Sequence, residues 1–330
     1  MTCSTRRRAH ARLLALACGL AASLTGLPLA AQTFPDHTVK LVTPFPAGGS
    51  TDGVARPLAA ELQKLLGQNV IVENRGGAGG SIGTAMVARG PADGHTALIV
   101  FDTHAINPLI YKSLDFDTFK DLKAVGQIVS MPLVLMAHPS LPANNLKELV
   151  ALSKAKPGSV SYASAGAGSS NQLAAELFSR TAGIRMNHIP YKGGGPAIND
   201  LLAGHVQSIF VSQPLVLKFI ESGRLKALAV MGNERSKALP NVPSTKEQGY
   251  DGLDVSSWIG MVVPAGIPDA AMRRWTDALQ KAVHAKDFQA HMKQAGFNVV
   301  ESSPQKFDAH IRREYERWDP IVKDLGIVAD

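Results

Sequence analysis

Two short stretches carry the residue types from which an anion site can be built without a catalytic group. Pro46-Ala-Gly-Gly-Ser-Thr-Asp52 follows an apolar run at 39–45, and Ser164-Ala-Gly-Ala-Gly-Ser-Ser170 follows a second run at 159–163. In each, glycines allow a tight turn and hydroxyl side chains stand where a helical pattern opens. A strand that turns into a helix in this way leaves the first helical N–H groups unpaired and pointing outward. The helix dipole adds partial positive charge at the same place, so N–H groups and hydroxyls hold a carboxylate with no lysine or arginine. A structural βα turn has a similar composition; the occurrence of two such turns, far apart in the chain, is what points to a clamp. Lys192-Gly-Gly-Gly195 either adds a third loop or places a solvated lysine ahead of a helix.

Catalytic arrangements are sparse. Asp102 and His104 stand together in Phe101-Asp-Thr-His-Ala-Ile-Asn-Pro108, at the end of an apolar run. The carboxylate either pairs with a ligand ammonium or caps the next turn, and the histidine either reaches a cleft or fills a structural role. No H-E-x-x-H occurs, no G-x-x-x-x-G-K-[ST] occurs, and Gly77-Ala-Gly79 meets Ile82 where a dinucleotide fingerprint needs its last glycine. The histidines show no metal-ligand spacing, and neither a metal nor a cofactor is expected.

These loops need elements to hold them. Apolar runs alternate with helical patterns along the chain, which predicts an α/β fold with mostly parallel strands. Strands are expected at 39–45, 70–73, 97–101, 133–137, 159–163, 187–190, 206–211 and 225–230. Helices are expected at 53–66, 146–155, 170–182, 215–221, about 269–285 and about 304–325, with another from 192–195 through 202. Pro57 should kink the first of them. A middle segment entered by the strand at 133–137 and left by that at 225–230 gives two lobes joined by two crossing strands.

The N-terminus lies outside that globule. Arg6, Arg7, Arg8 and Arg12 precede an apolar run at 13–27, and small residues lead to Ala31. This is the pattern of a secretory signal cleaved near Ala31, and the run is shorter than the roughly twenty residues that span a bilayer. The arginine pair leaves the Sec and twin-arginine routes both open, and Cys18 sits in an atypical context for lipidation. Removing residues 1–31 takes away four arginines and no acid, lowering the net charge from +7 to +3, and removes both cysteines, Cys3 and Cys18. The mature chain therefore has no disulfide and no basic block for nucleic acid. With 45% hydrophobic and 18% charged residues in a chain of 330, two domains fit. These are 32–132 with 231–330, and 133–230.

Seven stretches, taken in order, resemble the Bug family of extracytoplasmic solute-binding proteins, the receptors of tripartite tricarboxylate transporters. They are Pro44-Phe-Pro-Ala-Gly-Gly-Ser-Thr-Asp52, Val72-Glu-Asn-Arg-Gly-Gly-Ala-Gly-Gly80, Thr103-His-Ala-Ile-Asn-Pro108, Tyr162-Ala-Ser-Ala-Gly-Ala-Gly-Ser169, Pro190-Tyr-Lys-Gly193, Arg235-Ser-Lys-Ala-Leu-Pro-Asn-Val-Pro243 and Val255-Ser-Ser-Trp258. The resemblance implies a type II periplasmic-binding-protein fold, an export to the periplasm, and a small carboxylate delivered to membrane permease subunits by a monomeric receptor. It implies ligand contacts from Phe45, Pro46, Ala47, Gly48, Gly49, Thr51 and Asp52, with Thr103 and His104 nearby. The middle domain would add Ser164, Ala165, Gly166, Ser169 and Ser170, with Tyr191, Lys192 and Gly193 at the rim. The chain departs from the family at Asp102, usually a small residue there, and at Val211-Ser212, where many members read Asp-Asn. Two other classes remain open on the residues alone: a sensor for a signalling partner, and a secreted enzyme using Asp102 and His104 as acid and base.

Overall fold

The computed structural model describes residues 34–166, 168–191 and 193–329; the expected signal segment 1–31 and Lys192 lie outside them. The first part of the chain forms β1 (Val39–Thr43), α1 (Ser50–Leu66), β2 (Val70–Asn74), α2 (Ser81–Ala88), β3 (Thr96–Phe101) and α3 (Thr103–Ile110). A long strand, β4 (Leu122–Ala137), leads to α4 (Leu146–Ala155), β5 (Ser161–Ser164), α5 (Ser170–Ala182), β6 (Asn187–Pro190) and α6 (Gly194–Ala203). Then come β7 (Ser208–Ser212), α7 (Leu217–Glu221), β8 (Lys226–Val230) and β9 (Ser256–Pro264). The chain ends with α8 (Asp269–His284), α9 (Lys286–Gln294), β10 (Asn298–Val299) and α10 (Pro304–Leu325).

The strands run β2-β1-β3-β9-β4-β7-β5-β6, with β8 and β10 also paired to β4. Strands joined through a helix return parallel, and β1 pairs in that sense with β2 and β3, as β5 does with β6 and β7. The sheet is nonetheless mixed, because β4 is antiparallel to all four of its partners and β9 is antiparallel to β3. The expectation of mostly parallel strands missed β9 and the first half of β4. Gly126 and Gln127 interrupt the apolar run of β4, and β9 opens on two serines and contains Gly260, so neither segment alternates cleanly.

One strand serves both halves of the molecule. Leu122–Pro132 of β4 lie beside β9, while Leu133–Ala137 lie beside β7 and β8. At the changeover the Leu133 N–H donates to Val255 O at 3.5 Å, and the Met231 N–H donates to Leu133 O at 2.8 Å. The strand at Lys226–Val230 therefore stays within the second half, and the return crossing falls in the segment after it, 231–255, ahead of β9. Pro57 sits inside an unbroken α1; the carbonyl that loses its donor belongs to Gly53, which is exposed.

Four clusters of buried side chains surround the sheet. α1 and α8 cover one face of the first half with Leu58, Leu62, Trp275 and Leu279. The last helix belongs to both halves: Phe307 and Ile311 pack with Leu98 and Trp258, while Trp318, Ile321 and Val322 pack with Tyr162, Leu173 and Phe210. Its seat is cut closely. A Cβ placed on Gly260 would stand 2.1 Å from the Phe307 ring. Gly260→Ala should therefore lower stability by about 1–3 kcal/mol through overpacking. Urea unfolding checks this, and adding Phe307→Leu should return part of the loss.

Candidate functional site

The turn after β1 is braced by its own acid. Asp52 Oδ2 accepts from the Gly48 N–H at 3.0 Å and from Arg56 Nε at 2.8 Å, and Oδ1 accepts from Asn74 Nδ2 at 3.1 Å. Asn74, the last residue of β2, also donates to Thr43 Oγ1 at 2.6 Å and to Phe45 O at 3.1 Å. Burial alone would raise the Asp52 pKa, but the donors Arg56, Gly48 and Asn74 together hold it below the usual carboxylate range. All of its side-chain bonds serve the turn, and Asp52 is 5% exposed. The surface so held is made of Pro46, Ala47, Gly48 and Gly49, all exposed, with Phe45 half-buried edge-on against Phe101. Gly48 has φ +82°, a conformation that suits glycine, and open space where a side chain would be. Gly49 is the N-cap of α1 and brings no capping side chain. Among the described residues the N–H groups of Gly49, Ser50 and Thr51 meet no acceptor, and buried Thr51 Oγ1 has no partner.

The second turn is built alike with different struts. Ser169 caps α5: its Oγ accepts from the Gln172 N–H at 3.4 Å and donates to Gly166 O at 2.7 Å. Gln172 reaches back, its Oε1 accepting from the Gly168 N–H at 2.8 Å. Ser164 is fully buried and bonded to His188 Nε2 at 2.6 Å, so it anchors the turn rather than lining it. Ala165 O accepts from the Gly193 N–H, Ser164 O accepts from the Tyr191 N–H, and the Tyr191 hydroxyl donates to Asp200 at 2.7 Å. The rim residues Tyr191 and Gly193 are thus tied to the turn they were expected to flank.

Phe101 and Asp102 lie between the two turns. Phe101 meets Phe45 of the first, and Asp102 lies near the hydroxyl of Ser170 from the second, short of a hydrogen bond. A Cβ on Gly168 would stand 2.3 Å from Ile110 of α3, so the second turn rests on this helix at both ends. Asp102 occupies the N-cap position of α3 but makes no capping bond; it is 3% exposed, and neither oxygen has a hydrogen-bond partner among the described residues. Burial pushes its pKa up to about 7; the Ser257 and Ser170 hydroxyls pull the other way, and the like charge of Glu314 adds to the rise. Of the two roles open in the sequence, capping is excluded. Thr103 is half-buried. His104 is buried, and desolvation lowers its pKa to about 4. Its side chain makes no hydrogen bond among the described residues.

Other supports were not singled out in the sequence. Arg56 sits one helical turn beyond Asp52, a legible i,i+4 spacing. His188 and Ser257 are brought in only by the sheet, Ser257 receiving the Ser212 hydroxyl at 3.3 Å. Gly79-Gly-Ser-Ile-Gly83 has the G-x-S-x-G spacing of a nucleophile elbow. Its Ser81 opens α2 behind a 3₁₀ turn, and no histidine bonds it among the described residues.

Comparison with known proteins bears on this arrangement. Residues 54–327 match the tripartite tricarboxylate transporter family receptor. The protein BugT of Bordetella pertussis is 38% identical over 323 residues, covering 96% of this chain and 98% of BugT. The structure of the periplasmic binding protein BugD is 35% identical with a TM-score of 0.81, covering 90% of this chain and 100% of that one. That of R. palustris Rpa4515 with adipate is 31% identical with a TM-score of 0.83, covering 89% and 99%.

The buried acid and the buried histidine impose opposite pH dependences. Asp102, with its folded pKa raised, contributes stability that is complete below about pH 4 and lost as the pH rises through about 7. His104, with its folded pKa lowered, contributes stability that is present above about 6.5 and lost as the pH falls toward 4. Asp102→Asn should therefore gain on the wild type as the pH rises from 4 to 7, by up to a few kcal/mol. His104→Gln should gain as the pH falls over the same range. Denaturant midpoints across pH 4–7.5 test both, and curves parallel to the wild type would refute them.

Proposed function

Because this chain belongs to the tripartite tricarboxylate transporter receptor family, we propose that it is a periplasmic receptor that closes two lobes on a small organic carboxylate. The family is one of solute-binding receptors, not of enzymes. The observation that carries the ligand class is the first turn of α1, where the N–H groups of exposed Gly49, half-buried Ser50 and buried Thr51 meet no acceptor among the described residues and stand on a braced loop. Such a helix terminus suits a carboxylate, and the related Rpa4515 structure is one with adipate. The lobes in this reading are 32–132 with 231–330, and 133–230, and the hinge is the convergence at Leu133.

The ligand-contacting set in this proposal is Phe45, Pro46, Ala47, Gly48, Gly49 and Thr51 from one lobe. Ala165, Gly166, Ser169 and Ser170 come from the other, with Thr103 and His104 at the floor and Tyr191, Lys192 and Gly193 at the rim. Asp52 and Ser164 act behind this surface by fixing the turns. The receptor is exported with its signal cleaved near Ala31, acts as a monomer, and passes its solute to the permease subunits of a tripartite transporter. No helix among the described residues is long and apolar enough to cross a membrane.

A thermal-shift screen of dicarboxylates, tricarboxylates, amino acids and aromatic acids should return at least one ligand that raises the melting temperature by several degrees at saturation. A ligand at a hundred times its Kd adds about 2.7 kcal/mol. Gly48→Val, which folds with a distorted turn, should lose that shift. A shift equal to the wild type's would remove the turn from the binding site.

A further inference from the structure

At the far end of the same sheet the chain gathers a second set of ligating atoms. Asp36 and His37 precede β1, and His95 immediately precedes β3, two parallel neighbours. Asp36 Oδ1 lies 2.6 Å from His37 Nδ1 and 3.0 Å from His95 Nε2, and the three donor atoms fall within 4.8 Å of one another. The binding turn lies past the opposite end of β1, about 17 Å away for a five-residue strand. We propose that Asp36, His37 and His95 bind a divalent metal ion of the zinc class, which fastens the segment before β1 to the turn before β3.

The surroundings of His95 suit a ligating role. The Asp36 backbone nitrogen also lies 3.4 Å from His95 Nε2. The other ring nitrogen, Nδ1, faces Asp93 Oδ1 at 3.5 Å, and the same oxygen accepts from the His95 N–H at 2.8 Å. On the other side of the ring, His95 Nε2 and Asp36 Oδ1 stand 3.0 Å apart, close enough for one ion to reach both. A carboxylate facing the second ring nitrogen of a ligating histidine is a common outer-shell feature of metal sites, and Asp93 stands on that side of His95.

His95 is already held in place. Its side chain is 12% exposed, the Phe34 ring meets it edge-on at 5.0 Å, and His37 stacks on it at 3.6 Å. Trp275 Nε1 donates to Gly94 O at 2.8 Å and fixes the turn beneath. Asp36 and His37 are 42% and 62% exposed, free to adjust, and water can complete the coordination. Donors around a tetrahedral zinc stand about 3.3 Å apart, a spacing these atoms reach once the exposed His37 ring turns off its stack on His95 to aim a lone pair at the ion. Two imidazoles and one carboxylate suit zinc or copper; magnesium and calcium prefer oxygen donors throughout.

The test is isothermal titration of the untagged, chelator-treated protein with zinc chloride, and with magnesium chloride as contrast. One zinc per chain is expected, with a raised melting temperature, no response to magnesium, and at least tenfold weaker binding in His37→Ala and His95→Gln. His37 is exposed, so its variant stays informative if His95→Gln fails to fold. Absence of saturable zinc binding, or full affinity in His37→Ala, overturns the proposal. Carboxylate-induced thermal shifts should be the same in His37→Ala as in the wild type, so this site and the clamp fail or stand separately.

Discussion

Leu133 gives its two backbone groups to two different segments, accepting from Met231 and donating to Val255. Buried peptide groups must be paired, and pairing them here brings three passages of the chain to one point. The architecture follows from that junction. β4 can be one strand with two sets of neighbours only because its partners change there. Each half then places its own βα turn at the carboxyl end of a parallel strand, the end at which open α/β sheets hold ligands.

Within each turn a side chain supplies what the backbone lacks. Asp52 binds the Gly48 N–H and Arg56, and Gln172 and Ser169 do the corresponding work for α5. The surfaces left over are mostly main chain and small side chains. In the proposed clamp, selectivity among acids then falls to the walls and the floor, where Asp102 stands buried near Ser170 and Ser257. A carboxyl group with its pKa near neutrality presents a donor in acid and an acceptor in base.

Much of this was legible in the chain. The Gly-Gly-Ser-Thr and Gly-Ser-Ser runs marked both turns, because helix starts follow local rules of caps and glycines that need no partner. Helices α1, α5, α8 and α10 were equally plain from their apolar stripes. What escaped depends on contacts distant in sequence. Asn74 reaches across 31 residues to Thr43, and His188 across 24 to Ser164. The serines of β9 were unreadable as strand, since their burial is set by β4 and not by their own pattern. Asp102 read equally as a cap or as a partner for a ligand ammonium, because it stands where caps stand, and only the structure shows that its side chain makes no capping bond.

The final helix has a thermodynamic consequence. Phe307 and Trp318 are eleven positions apart, about 16 Å along the axis, and each is buried in the core of a different half. Neither half can lose its core without stripping an apolar face from the helix that completes the other. The chain is therefore bound to melt as a single cooperative unit, although its two braced βα turns belong to different halves.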